Sequence, residues 1–330
     1  MTTTDAARRA SGFAAAVVLA ALAWPVSALS PLLGPAVVAA FLGVAVAWSL
    51  PSLAVVLRPG ALRSAKLVLQ VAIVLLGATL APQQLAIGWS AAAVVLVAVV
   101  VALAAVALLH RPFAVDRETA TLLAAGTSIC GATAVAVTSG VIRARSAAVT
   151  AALATVLLLN LVGVLVFPVV GRGLGMTQEA FGVWAATAVH DTSSVLAAAT
   201  AYGPQAADVA VVVKLARTLL LIPFGLAVGV WFRRGEAAGS PGVRRLVPPF
   251  LVVFVAAVAL NGVGVVPDVV QPGLRTAATA GIGVALAAFG LTADRASVQA
   301  AGPRAVAVGA GAWVAVSVAA LVLIRVTGVG

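Results

Sequence analysis

The chain has 330 residues, of which 63% are hydrophobic and 9% charged, and its formal net charge is +11. Soluble domains contain about 45–50% apolar residues, so this composition excludes a soluble enzyme or binding module. The basic residues stand in small groups between long apolar runs, which the positive-inside rule explains without a nucleic-acid partner. Cys130 is the single cysteine, which excludes an intrachain disulfide and a cysteine-based zinc site. We therefore expect an integral membrane protein surrounded by the lipid bilayer.

The apolar runs predict an all-α, polytopic membrane protein with about eleven transmembrane helices, because each crossing needs about 20 apolar residues. Divided at charges, prolines and glycine clusters, the chain gives predicted helices at residues 12–30, 35–56, 66–81, 88–109, 119–142, 147–170, 180–201, 208–232, 247–266, 275–292 and 304–326. Residues 1–11 form a predicted cytoplasmic tail. Residues 12–330 form a single predicted membrane domain, and we interpret its first apolar run as a retained helix, not a cleaved signal peptide.

The distribution of Lys and Arg predicts the orientation. With the N-terminus in the cytoplasm, the inside segments hold fourteen of the twenty basic residues: Arg8, Arg9, Arg58, Arg63, Lys66, Arg111, Arg117, Arg172, Arg233, Arg234, Arg244, Arg245, Arg295 and Arg304. The C-terminus then lies outside. Arg143 and Arg145 contradict this arrangement, because a fifth helix that crosses the membrane would deliver them to the outer face. A broken helix and a misplaced boundary are both explanations at this stage.

The middle of the fifth predicted helix contains small and hydroxylic residues. Residues 126–133 read Gly-Thr-Ser-Ile-Cys-Gly-Ala-Thr. One interpretation is an unwound break, in which the N–H groups that open the second half-helix bind an anion. The other is close helix packing through small residues. The sequence leaves both open.

Four ionisable residues lie well inside predicted spans, away from their ends, where each charge costs roughly 2.5–3.5 kcal/mol on insertion. His190 and Asp191 are neighbours in the seventh, and Lys214 and Arg217 are three apart in the eighth. A structural interpretation pairs Asp191 with one of the two cations. A functional interpretation assigns these residues to the movement of a substrate or of protons.

The seventh predicted helix also shows polar residues at the spacing of one helical face. They are Thr187, His190, Asp191 and Ser194, at positions i, i+3, i+4 and i+7. A polar stripe of this kind must face protein or water. The pattern predicts a shared pocket inside the helix bundle.

A weak internal echo suggests inverted repeats. The third and tenth predicted helices both end in Gly-x-Thr, at Gly77 and Gly290, and run in opposite directions. An alternative sets the first helix aside, repeats five helices twice and matches the broken fifth helix to the tenth. We prefer this second arrangement, because it agrees better with transporters whose broken helices cross at the transport site.

Three ordered motifs support a resemblance to a known family. They are residues 126–134, residues 188–191 (Ala-Val-His-Asp) and residues 213–223, which begin Val-Lys-Leu-Ala-Arg and end in Pro. In order and spacing they resemble the YeiH-type family of bacterial inner-membrane proteins, over about residue 30 to the end. The resemblance implies a plasma-membrane transporter, distant kinship to folds of inverted five-helix repeats with crossed, broken helices, and sulfate export. This chain departs from the family pattern in carrying Asp191 instead of Glu and in the hydroxylic residues 192–194.

Together these observations predict a secondary transporter that exports sulfate or another oxyanion by alternating access, with no catalytic residue, cofactor or metal. The expected partners are a small inorganic or organic anion and the bilayer, with no nucleic acid, and a homo-oligomer is compatible with the sequence. The predicted anion ligands are Thr127, Ser128, Gly131, Lys214 and Arg217.

His190 and Asp191 are the predicted gating or proton-coupling residues, since histidine titrates near neutral pH. The main alternative is a cation or proton exchanger with Asp191 as the carrier. A membrane-embedded enzyme or assembly protein is the third reading, which no sequence motif supports.

Overall fold

The computed structural model describes residues 3–27, 34–81, 89–221, 223–224, 249–292 and 299–329, and every regular element among them is a helix. The all-α class is therefore confirmed. The helices are α1 Thr3–Ser27, α2 Pro35–Ser49, α3 Pro51–Gly77, α4 Trp89–Leu109, α5 Arg117–Ser128, α6 Ala132–Ile142, α7 Ser146–Gly173, α8 Gln178–Ala188, α9 Thr192–Tyr202, α10 Pro204–Leu219, α11 Pro249–Gly262, α12 Gln271–Gly290 and α13 Pro303–Thr327.

Six helices in the described part of the chain are long and apolar enough to cross a membrane: α1, α3, α4, α7, α12 and α13. Helix α1 begins at Thr3, inside the stretch predicted as a tail. The predicted connection at 233–246, with the four arginines counted there as cytoplasmic, lies outside the described residues, as does most of the second half of the eighth predicted helix.

The fifth predicted helix is a re-entrant hairpin that enters and leaves on one face. Helices α5 and α6 contain 12 and 11 residues, which as one continuous helix would extend about 35 Å. Instead, the guanidinium of Arg145, just after α6, donates to Asp116 at 3.1 Å and to Glu118 at 3.0 Å, both at the start of α5. The break at residues 126–133 is therefore observed, and the chain returns to the face from which it came, while anion binding at the break stays a prediction.

The seventh predicted helix is a second hairpin. Helices α8 and α9 contain 11 residues each, yet the end of α9 lies beside the start of α8. We call this paired end the base of the hairpin. The Gln178 side-chain oxygen accepts from the backbone N–H of Gln205 at 2.9 Å, and the ring of Phe181 stacks on Tyr202. The expected continuous polar stripe is therefore wrong, because α8 ends at Ala188 and a new helix starts at Thr192.

The two hairpins enter from opposite faces. Helix α7 starts at the base of the α5–α6 hairpin and ends at the base of the α8–α9 hairpin, where Arg172 donates to the carbonyl of Ala201 at 2.6 Å. We call the face at the α7 start the first face and the other the second face. A membrane-crossing helix followed by a hairpin thus occurs twice, as α4 with α5–α6 and α7 with α8–α9, in inverted orientation.

The expected match between the fifth and tenth predicted helices is wrong, because α12, the tenth, is continuous from Gln271 to Gly290.

Gly77 and Gly290, the glycines of the internal echo, serve in close packing between helices. Gly290 lies so near α2 that a Cβ there would be 2.3 Å from the carbonyl oxygen of Ala40, and one on Gly77 would meet the ring of Phe254. Small residues allow this approach between helices.

The helices form two bundles. The first, which we call the scaffold, contains α1, α2, α3, α11 and α12, and the second, which we call the core, contains α4 to α10 and α13. Between them α9 packs against α2 and α12, and apolar side chains of α7, α9 and α10 join one cluster with those of the scaffold. Both hairpins therefore belong to one body that faces the other across a largely apolar boundary.

Candidate functional site: the meeting point of two hairpin tips

The tips of the two hairpins touch near the middle of α7. The first tip is residues 129–131, where Gly131 adopts φ +62°, and the second is residues 189–191. A Cβ on Gly131 would lie 3.4 Å from the backbone carbonyl of His190 and 3.3 Å from Val156. Glycine is thus required at this position both for its left-handed backbone and for the approach of the second tip.

Two fully buried cations of α10 hold the tips together. The ammonium of Lys214 donates to the carbonyl of Val189 at 2.8 Å and reaches those of Ile129 and Ala186 at 3.5 Å. A single ammonium therefore contacts both hairpins.

The guanidinium of Arg217 bridges the same two helix ends. It donates to the carbonyls of Thr127 at 2.9 Å and Ser128 at 2.8 Å, and also to those of Ala186 and Thr187. These groups are the last carbonyls of α5 and α8, which lack partners within their helices and carry the negative ends of the helix dipoles. The two cations thus complete both helix ends.

The other two helix ends at the tips are N-termini, and they differ. The α9 N-terminus is capped by Asp191, whose Oδ2 accepts from the backbone N–H of Ser193 at 3.0 Å, from that of Ser194 and from the Ser193 hydroxyl. The α6 N-terminus begins after Gly131, which has no side chain to cap it. One of two equivalent anion-attracting positions therefore already holds a carboxylate.

A cavity of about 170 Å³ lies beside the tips, between the core and the scaffold. Residues of α2, α7, α9 and α12 line it, together with Ala132 at the start of α6. Most of the wall is apolar, and the polar lining residues are Asn160, Asp191, Ser193, Ser194 and Thr292. The cavity thus has a polar end at the hairpin tips and an apolar remainder.

Asn160 of α7 connects the cavity to the second tip. Its side-chain oxygen accepts from the backbone N–H of His190 at 3.0 Å and of Asp191 at 3.3 Å. Asn160 is only 3% exposed, and its buried amide nitrogen has no hydrogen-bond partner in the described structure. Such a donor is costly to leave unpaired, so a further acceptor is expected there.

The five predicted anion ligands gather around the tips but do not line the cavity. The hydroxyls of Thr127 and Ser128 bond back to carbonyls of α5, and Gly131, Lys214 and Arg217 are not among the cavity-lining residues. The convergence of the fifth, seventh and eighth predicted helices is therefore observed, while direct contact of both cations with an anion in this cavity has no geometric support.

His190 and Asp191, although neighbours, lie in different surroundings. The His190 side chain is fully buried, and neither ring nitrogen has a hydrogen-bond partner among the described residues. Asp191 caps α9 and lines the cavity, and it makes no ion pair with Lys214 or Arg217 in the described structure. The structural interpretation of the sequence, in which this carboxylate pairs with a buried cation, is therefore not observed.

Sequence reasoning missed Asn160 and Ser193. Asn160 is the single carboxamide in the sixth predicted helix, residues 147–170, and such an isolated amide in an apolar run was a usable signal. Ser193 gave none, because its role depends on a helix starting at Thr192.

Comparison with known proteins assigns the chain to a family. The family model described as conserved hypothetical protein 698, the YeiH/UPF0324 family, matches residues 11–309. The chain belongs to this family. The UPF0324 membrane protein of Streptococcus pneumoniae is 33% identical over 319 residues, which cover 94% of each chain. That of Streptococcus pyogenes is 32% identical over 329 residues and 96% of each chain.

The UPF0324 membrane protein of Vibrio vulnificus is 37% identical over 215 residues, 65% of this chain and 68% of the relative. No solved structure matches the chain. The UPF0324 relatives are named as membrane proteins, which supports a membrane location here as well, in agreement with the six long apolar helices.

Proposed function

We propose that this UPF0324 protein is a secondary transporter that moves a small anion by alternating access, through displacement of the core relative to the scaffold. The observation behind this proposal is the contact of two inverted hairpin tips beside a cavity that lies between the two bundles. Broken helices at an inverted-repeat junction are the usual substrate sites of secondary transporters.

The charges at the tips favour an anion. Lys214 and Arg217 contribute two buried positive charges whose described partners are backbone carbonyls, and Asp191 contributes one negative charge. A net positive charge in the membrane interior is unfavourable unless a counter-ion is present. A bound anion would supply it, with Lys214 and Arg217 acting through their field and not through contact.

The boundary between the bundles suits relative movement. It is largely apolar, and on the second face Arg275 of the scaffold forms a bidentate ion pair with Asp208 of the core, at 3.1 and 2.9 Å. Smooth apolar contact resists sliding less than an interlocked polar interface does, and a single ion pair can open and close.

Cation or proton exchange is the second candidate, because Asp191 lines the cavity together with the hydroxyls of Ser193 and Ser194. In that case a cation or proton would bind the carboxylate directly. The two candidates differ in which gradient drives flux.

The test uses purified protein in liposomes, with counterflow of labelled sulfate and small organic anions over a range of pH. The proposal expects uptake against an unlabelled anion held inside, with no dependence on sodium. Protein-free liposomes are the control. Movement of sodium or protons without any anion would support exchange through Asp191 and overturn the anion proposal.

A further inference from the structure

We infer that the cavity binds an organic anion with an apolar body, with its carboxylate or sulfonate headgroup between the Asn160 amide and the start of α6, and this inference rests on the proposed function. It assigns a substrate class and a headgroup contact that differ from the ligand set predicted from the sequence.

The headgroup position follows from two independent observations. The N–H groups of Ala132 and Thr133 that open α6 lack helical partners, and Gly131 has no side chain to cap them. Ala132, at this helix start, lines the cavity together with Asn160, whose buried amide nitrogen has no partner in the described structure. Both features are donors, and both would be satisfied by the oxygens of a single anionic group.

The Asp191 carboxylate explains why the anion binds at the N-terminus of α6 and not at that of α9. The corresponding position on α9 is filled by the Asp191 carboxylate, which accepts from Ser193 and Ser194. An internal carboxylate thus occupies one N-terminus. The second N-terminus has no carboxylate of its own in the described structure, so an external one fits there.

The apolar wall determines the rest of the substrate. Beyond the five polar residues, the lining is aliphatic and aromatic, with Leu157, Leu161 and Phe289 among its members. Inorganic sulfate is strongly hydrated and would meet this wall on most sides, without donors to replace its water. An alkyl or aryl body gains from the same contacts, by about 0.8 kcal/mol for each buried methylene group.

The experiment measures binding to purified protein in detergent by calorimetry, for sulfate and for methane-, ethane-, propane- and butanesulfonate. Each added methylene is expected to lower the Kd about fourfold, which corresponds to the same 0.8 kcal/mol, until the body fills the cavity. A Kd that is flat along the series, or sulfate binding more tightly than propanesulfonate, would overturn the inference. Butanol should not compete, and equal competition would show that the headgroup has no role.

Two variants separate the headgroup from the body. Asn160→Asp keeps the oxygen that accepts from His190 and Asp191 but removes the donor, so binding of every sulfonate should weaken at least tenfold with the chain-length slope unchanged. The matched control is Asn261→Asp, where the amide donates to Leu80 away from the cavity. Leu161→Asn should instead reduce the chain-length slope, because it places a polar side chain in the apolar wall.

Binding and flux distinguish the inference from the proposed function. Chain-length-dependent binding without counterflow would support the site and overturn transport. Sulfate counterflow without such binding would support transport and overturn the organic-anion site.

Discussion

At the residue scale, buried side chains at the tips act through backbone groups. Lys214 and Arg217 make hydrogen bonds to the carbonyls that end α5 and α8, so each cation stabilises two helix termini of different hairpins. Their charge also sets the electrostatic potential of the cavity. Substitution at either position therefore changes folding and transport together, and flux alone cannot separate the two roles.

We predict that Arg217→Lys lowers the free energy of unfolding by about 2–3 kcal/mol, although the charge is kept. An ammonium cannot reach all the carbonyls of Thr127, Ser128, Ala186 and Thr187, and each buried acceptor left unpaired costs about 1–3 kcal/mol. Thermal unfolding in detergent, followed by tryptophan fluorescence, measures this. The control is Arg304→Lys at an exposed position, and an equal effect in both variants would contradict the bridging role.

At the element scale, the hairpins account for the arginines that violate the positive-inside rule. Arg143 and Arg145 follow α6, which returns to the face where α5 began, so they join Arg117 on the first face. With the first face in the cytoplasm, these three arginines satisfy the rule. Arg172 does not: it was predicted inside, but α7 crosses the membrane and places it on the second face, beside Ala201. The cytoplasmic N-terminus and external C-terminus stay predictions, which the labelling pattern below tests.

We predict that cysteines at positions 117 and 145 are labelled from the same, cytoplasmic face, and one at position 205 from the other. The variants Arg117→Cys, Arg145→Cys and Gln205→Cys are made singly in a Cys130→Ser background and treated with an impermeant maleimide in vesicles of known orientation. All three positions are exposed in the structure. Labelling of positions 117 and 145 from opposite faces would contradict the hairpin.

At the scale of the whole molecule, the cavity position depends on two bundles that meet across an apolar boundary. Helix α9 is the part of the second hairpin that packs against the scaffold, so core movement would carry the tip along α2 and α12. The Arg275–Asp208 ion pair joins the bundles on the second face, with Asp208 largely buried. Such a pair must separate if the core moves away from α12.

We predict that Asp208→Asn reduces flux at least tenfold, because the partly exposed Arg275 guanidinium loses its ion-pair partner and the contact between the bundles on the second face is weakened. The exchange of charges in Asp208→Arg with Arg275→Asp should restore part of the flux. Anion counterflow measures both, and accessibility of Ser194→Cys from the second face should rise in the single variant. An unchanged flux in Asp208→Asn, at equal expression, would remove the pair from the transport cycle.

The sequence by itself determined the membrane setting and the all-α class. It left the break at residues 126–133 as one of two interpretations, and it singled out His190, Asp191, Lys214 and Arg217 as candidate site residues. These conclusions follow from local physics, since apolar length sets a span and a charge in lipid requires a partner. Residue types and spacing are sufficient to recognise both.

The tertiary structure alone decided that two predicted spans are hairpins, that both cations bind carbonyl groups, and that Asn160 and Asp191 line the cavity. A helix that crosses and a hairpin that returns have the same composition along the chain. They differ only in contacts between distant residues, such as Arg145 with Glu118 and Gln178 with Gln205. Those contacts depend on how the halves pack, which spacing along one chain does not encode.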